Sequence, residues 1–203
     1  MTKIYNIKSF CRITNEKIIC DGEIILQKKP DESVSDFLKN IYRKSETNYP
    51  KFFKMDLLCK AAFLAAEFIS KKENLFETNT ALLLSNRGSS WASDKKHAQP
   101  IYKEEPAASP AVFVYTLPNI ALGEISIRHQ LFSENLFLIF DKFSPENLVP
   151  YSEQLLMEDK AEKVLAGWVE ADENNLDVFI YLVDNKGNTK HTIENITNLY
   201  KIK

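Results

Sequence analysis

Glycine is scarce in this chain, with 5 in 203 residues. So few glycines exclude a loop-rich or repeat architecture, and no internal repeat is visible. A dominant charge sign is also missing. The formal net charge of -2 excludes the basic excess of a nucleic-acid binder, so no nucleic-acid partner is expected. No run of about 18 apolar residues is present, and no apolar N-terminal stretch has the form of a signal peptide. No membrane contact is expected, and a cytoplasmic location is. The 3 cysteines, Cys11, Cys20 and Cys59, show no paired spacing. Their odd, sparse count argues against a disulfide framework, and each is expected as a small buried apolar residue. No His, Cys, Asp or Glu cluster has metal-ligand spacing, so neither metal nor cofactor is expected. The hydrophobic content of 44% is that of a globular protein. Residues 1–203 are read as a single domain with a sizeable core.

Ile4 to Thr14 alternates as a strand, and Ile18–Ile19 or Ile24–Leu26 suggests one short further strand. Val34, Phe37, Leu38 and Ile41 follow Ser33 at helical spacing. Phe52 to Lys72 reads as the strongest helix, apolar nearly all round and therefore buried on several sides. Thr80 to Ser85 is a buried parallel strand. Residues 87 to 108 read as a long loop with one helical turn near Trp91 to Lys96. Ser109-Pro110 opens a helix, and Pro118 kinks or restarts it. A strand over Leu136 to Asp141 is followed by a helix from Ser144-Pro145 to about Glu162, kinked at Pro150. Strands Lys163–Val169 and Asp177–Val183 come next, then a helical turn at Asn195–Tyr200. The order β-α-β-α-β-α-β-β predicts parallel pairing through helical crossovers, with the last two strands antiparallel.

Three segments carry a resemblance. The run Ser109 to His129 resembles the helix before the catalytic cysteine of β-ketoacyl-acyl-carrier-protein synthases, in the thiolase-like superfamily. Lys54-Met55-Asp56 resembles that family's helix entry, and Lys163-Val-Leu-Ala-Gly-Trp-Val-Glu170 its "Val-x-Ala-Gly-Gly-x-Glu" strand. Small stand-alone bacterial members found in aryl-polyene and flexirubin pigment clusters are the most similar group. The resemblance implies an α/β fold: half of a thiolase-like fold, a mixed sheet with helices on both faces.

The same resemblance argues against the family's chemistry. The family nucleophile, an Ala-Cys-Ser/Thr turn, aligns with Asp141-Lys142-Phe143-Ser144, and the cysteine position falls on Lys142. A lysine ammonium cannot form the acyl thioester that a thiolate at a helix N-terminus forms. His97, His129 and His191 do not match the catalytic histidine motifs, and the family's second half is expected to be missing. No catalytic residue is therefore assigned. Leu148, Tyr151, Leu155 and Leu156 form the apolar face of a one-sided helix, which implies that no second sheet covers it.

In the family, the strand before the turn pairs across a dimer axis. Leu136, Phe137, Leu138, Ile139 and Phe140 carry no charge or proline and are the expected interface. The resulting expectation is a non-catalytic ketosynthase-like accessory protein in fatty-acid or polyketide-type (polyene pigment) synthesis. Its expected partners are a second copy or a ketosynthase, and an acyl carrier protein. Two alternatives stay open: an acyl-thioester-processing enzyme using Lys142 or Ser144, with a Ser144–His129 triad as one form, and a homodimeric binding module without acyl chemistry. Asn86-Arg87-Gly88-Ser89-Ser90 is read as a solvated loop, with backbone anion binding the lesser option.

Overall fold

The computed structural model describes residues 4–102 and 109–202. Its strands are β1 (Asn6–Thr14), β2 (Lys17–Cys20), β3 (Glu23–Gln27), β4 (Thr80–Asn86), β5 (Asn135–Ile139), β6 (Lys163–Ala171), β7 (Leu176–Asp184) and β8 (Thr189–Lys190). Its helices are α1 (Val34–Lys44), α2 (Leu57–Glu73), α3 (Trp91–Tyr102), α4 (Pro110–Phe113), α5 (Ile120–His129), α6 (Pro145–Met157) and α7 (Ile193–Tyr200). They form one mixed sheet in the order β3-β2-β1-β7-β6-β4-β5, with β8 pairing β1.

The pairing corrects one expectation. β4 pairs in parallel with both β5 and β6, and β6 pairs antiparallel with β7, as the sequence predicts. β1, however, pairs antiparallel with β7 instead of joining the parallel set. It runs in the same direction as β6 but is separated from it by β7, and the α1–α2 connection to β4 leaves from β3, which is not a neighbouring strand. The two remaining crossovers move in opposite directions across the sheet. β4 to β5 passes through α5 on one face, and β5 to β6 passes through α6 on the other. A single crossover handedness requires this alternation.

Each face of the sheet carries its own core. Leu82, Leu84, Leu165, Val178, Ile180 and Leu182 face α1, α2 and α5. Leu83, Val164, Ala166, Phe179, Tyr181 and Val183 face α6 and α7. The strict alternation is the strand period of two. In β1 a bulge between Ile7 and Ser9 switches the phase, so Ile7 and Phe10 share one face while Cys11 and Ile13 take the other. Gly167 is required where β6 passes β7. A Cβ there would lie 2.1 Å from the Phe179 carbonyl oxygen.

The expected single strand between residues 15 and 33 is a hairpin, β2–β3. Asp21 (φ 51°) and Gly22 (φ 87°) both take positive φ, the geometry that an Asp-Gly pair supplies in a two-residue turn. The expected Phe52–Lys72 helix divides. Pro50–Lys54 is a 3-10 turn, Met55 is extended, and Asp56 caps α2 by accepting from Cys59 N at 2.8 Å. Asp56 also accepts from Ser93 Oγ at 2.6 Å, which ties α2 to α3. Asp56→Ala is expected to cost about 1–2 kcal/mol, read as a lower urea midpoint at unchanged m-value.

Trp91–Tyr102 is a three-turn helix, not a loop with one turn. Pro100 falls in its last turn, where it removes only one intrahelical bond. Residues 103–108 of the expected loop lie outside the described residues. The restart at Pro118 is present: α4 and the 3-10 turn Val114–Thr116 precede α5, at a bend of 98°. α6 runs through Pro150 without interruption and ends at Met157, short of Glu162. The C-terminal helical turn is a full two-turn helix, α7, capped by Thr192.

Candidate partner interface at the β5 edge

β5 closes one end of the sheet. Its inner side is fixed by two flanking bonds, Leu82 N to Glu134 O and Phe140 N to Asn86 O, both 2.9 Å. Since backbone groups alternate sides along a strand, Glu134, Leu136, Leu138 and Phe140 point theirs toward β4. Asn135, Phe137 and Ile139 therefore present N–H and C=O groups to the open edge.

The side chains divide as well. Phe137 packs on the α2–α5 core, Leu138 and Phe140 pack on the α6–α7 core, and Leu136 and Ile139 are exposed at 41% and 50%. Exposed apolar residues recur in the chain before β5. Phe113, Val114, Leu117, Ile127 and Phe132 all lie in the segment leading into β5, and Phe132 is 90% exposed. A cleft of about 220 Å³ sits between β5 and α6, lined by Leu82, Leu83, Leu136, Tyr151 and Leu155, with Glu158 and Lys160 on its rim.

The cleft corrects the expected face of α6. Its buried stripe is Pro145, Leu148, Val149, Ser152 and Leu156, whereas Tyr151 is exposed and lines the cleft with the half-buried Leu155. Tyr151 and Leu155 repeat at i, i+4 beside the stripe, so they face the sheet edge instead of the sheet centre. The opposite face of α6, through Glu146, Asn147, Pro150 and Gln154, is exposed. The helix is one-sided, as expected.

The turn after β5 holds the residue aligned with the family nucleophile. Phe143 is its anchor, buried against Tyr200, Phe179 and Trp168 at ring-centroid distances of 4.4, 5.7 and 6.4 Å. Asp141 and Lys142 project to solvent on the other side. Lys142 precedes the N-cap Ser144 by two positions, outside the first turn of α6. Ser144 Oγ donates to Glu146 and accepts from Asn147 Nδ2. His129 lies across the sheet on the α2–α5 side, against Glu67 and Ser70. The two residues of the sequence-level triad are therefore kept apart by the sheet.

All three histidines have defined surroundings. His191 is buried, with both ring nitrogens lacking a hydrogen bond and Nδ1 3.4 Å from Glu153. Burial depresses its pKa to about 4. His129 is buried too, and His97 packs on Phe113 at 5.3 Å. Sequence spacing missed the role of Glu67. Its carboxylate receives Arg128 Nε at 2.7 Å and Thr47 Oγ1 at 2.9 Å, with His129 Nε2 at 3.2 Å. Desolvation pushes its pKa up, but bonds from His129 and Arg128 outweigh that and hold it at about 2. In the loop at Asn86–Ser90 three successive amides, those of Arg87, Gly88 and Ser89, are already engaged. The N–H groups of Arg87 and Gly88 donate to the Glu170 carboxylate. Among the described residues, no group of His, Cys, Asp and Glu could hold a metal ion, and no single helix is long and apolar enough to cross a membrane.

No family model and no curated protein matches the chain in sequence. Solved structures do match in fold. The ishigamide ketosynthase/chain length factor aligns with a TM-score of 0.64 at 15% identity, over 89% of this chain and 62% of that one. The structure of a ketosynthase (ApeO) in complex with its chain length factor (ApeC) from Xenorhabdus doucetiae gives 0.62 at 11% identity, over 98% of this chain and 91% of that one. A type II PKS acyl-carrier protein in complex with its ketosynthase (AntDE:AntF) gives 0.63 at 12% identity, over 91% and 63%. The chain thus spans less than two thirds of the first and third matched chains and nearly all of the second. The fold is a mixed α/β, thiolase-like one, of the kind found in these ketosynthase and chain-length-factor structures.

Proposed function

We propose that this protein is a non-catalytic, ketosynthase-like partner subunit that joins a ketosynthase through the open edge of β5. The observation that carries the proposal is the edge itself: three residues whose backbone groups have no strand partner among the described residues, flanked by Leu136, Ile139 and Phe132 in the open. Burying several hundred Å² of such surface gains roughly 5–10 kcal/mol gross at about 25 cal/mol per Å², before association costs. Two of the fold relatives are described by a ketosynthase together with a chain length factor, which supports the kind of partner. The exposed Lys142 at the nucleophile-aligned position supports the absence of condensing chemistry. An acyl carrier protein would then dock on the assembled pair and not on this chain alone.

A second reading is a homodimer through the same strand. Asn135, Phe137 and Ile139 all face outward, so two copies can pair antiparallel with Phe137 opposite Phe137. Co-expression with the ketosynthase encoded nearest its own gene, followed by size-exclusion chromatography with light scattering, separates the readings. A 1:1 complex is expected. A stable homodimer that ignores the ketosynthase would favour the second reading, and a monomer under both conditions would reject both. Lys142→Ala is expected to leave folding stability within about 0.5 kcal/mol and the assembled pair's condensing activity unchanged. A loss of activity with the complex intact would show that Lys142 takes part in chemistry.

A further inference from the structure

Cys11 and Cys20 are two thiols that the fold brings together and that the function above does not use. They are direct partners across the β1–β2 pair, and their sulfurs are 3.2 Å apart. The adjacent pair, Phe10 with Asp21, is bonded through Asp21 N to Phe10 O. Cys11–Cys20 is therefore a non-hydrogen-bonded pair, the type with Cα atoms about 4.5 Å apart and side chains closest together. That separation lies within the Cα range of disulfides, and closing the sulfurs to about 2.05 Å requires a movement of roughly 1 Å. Cys59 sits apart on α2, with its thiol against Asp56.

We propose that Cys11 and Cys20 form a redox couple that closes to a cross-strand disulfide in exchange with a small disulfide such as oxidised glutathione. In the first step one thiolate attacks the small disulfide, forming a mixed disulfide and releasing one small thiolate. The second cysteine, deprotonated to solvent, then displaces the other small thiol. One S–S bond has been made within the protein and one broken in the oxidant, with two electrons passed to it. Both thiols are buried, and burial pushes the Cys11 thiol up. Exchange in the closed fold is accordingly slow and waits on opening of the β2–β3 hairpin, which lies at the end of the sheet opposite β5.

The test removes access as a variable by refolding the full chain from denaturant in a glutathione redox buffer. Free thiols are counted after renewed denaturation, and linked peptides are mapped by mass. The count is expected to fall from three to one, with Cys11 joined to Cys20. Melting of the oxidised protein is expected about 4–10 °C above that of the reduced protein, because a short loop is closed in the unfolded chain. Cys59→Ser should lower the count from two to zero, and Cys11→Ser should leave no internal disulfide. Refolded native protein with three free thiols, a bridge to Cys59, or a lower melting temperature on oxidation would each overturn the proposal.

Discussion

Ile139→Pro is expected to leave the chain folded and to weaken its complex roughly 30- to 1000-fold. The N–H of Ile139 faces the open edge, so proline removes no bond from the ladder with β4. Leu138 is already extended, as the residue before a proline must be, and the Ile139 side chain is half exposed. The partner strand, by contrast, loses a donor and keeps a carbonyl buried without one. Losing the bond and stranding its acceptor costs about 2–4 kcal/mol, which converts to the stated range in Kd. Titration calorimetry against the ketosynthase reads the loss, and thermal melts check that the chain is intact. Ile24→Lys, on the exposed β3 at the other end of the sheet, should change nothing. An unaltered Kd for folded Ile139→Pro would mean that β5 is not the contact strand.

The turn after β5 bears on both halves of the proposed function. A nucleophile at this turn needs a residue at the helix N-terminus and a base beside it. The residue at the α6 N-cap is Ser144, and its hydroxyl is engaged by Glu146 and Asn147. The buried Phe143 rotates Lys142 outward into solvent. The histidine that sequence reasoning could have supplied as a base belongs to the opposite face. What remains available at this end of the sheet is backbone and apolar surface, which the proposed association would use.

Most of the strands and long helices were legible because their apolar periodicity is imposed by burial. β4, β6 and β7 carry almost unbroken apolar runs and are buried on both faces. The misses have specific physical origins. The Asp21-Gly22 turn was a readable hairpin signal that the charged flanks obscured. α3 has only Ser93 fully buried, and its half-buried residues are Asp94, His97, Ala98 and Pro100, so no apolar stripe announces it. The antiparallel placement of β1 depends on which strand it meets, and that is a tertiary outcome that helix–strand order does not encode. At the candidate interface, the apolar composition of 136–140 was readable and its edge position was expected. Phe132, Tyr151 and Leu155 became part of the site only once β5 and α6 were placed side by side.

Acidification is expected to destabilise the fold in two separable steps. His191 has a folded pKa of about 4 against 6.5 when unfolded, so between these values the unfolded chain binds the extra proton. Its contribution is complete above about pH 6.5 and is lost as pH falls toward 4, amounting to about 3 kcal/mol. Glu67 has a folded pKa of about 2 against 4.5 unfolded. Its contribution is complete above about pH 4.5 and is lost as pH falls toward 2, again by about 3 kcal/mol. The two together are comparable with the lower end of the stability of a typical domain and are both lost only toward about pH 2, so acid unfolding is expected below about pH 3. Urea midpoints measured from pH 8 to 3 check the steps. His191→Leu should flatten the limb between pH 6.5 and 4 and leave the lower one. Glu67→Gln should remove the lower limb and reduce stability at neutral pH, because Arg128 loses its buried partner. If His191→Leu keeps the full upper slope, the acid sensitivity lies elsewhere and the ring is not held neutral by its burial beneath α6 and α7.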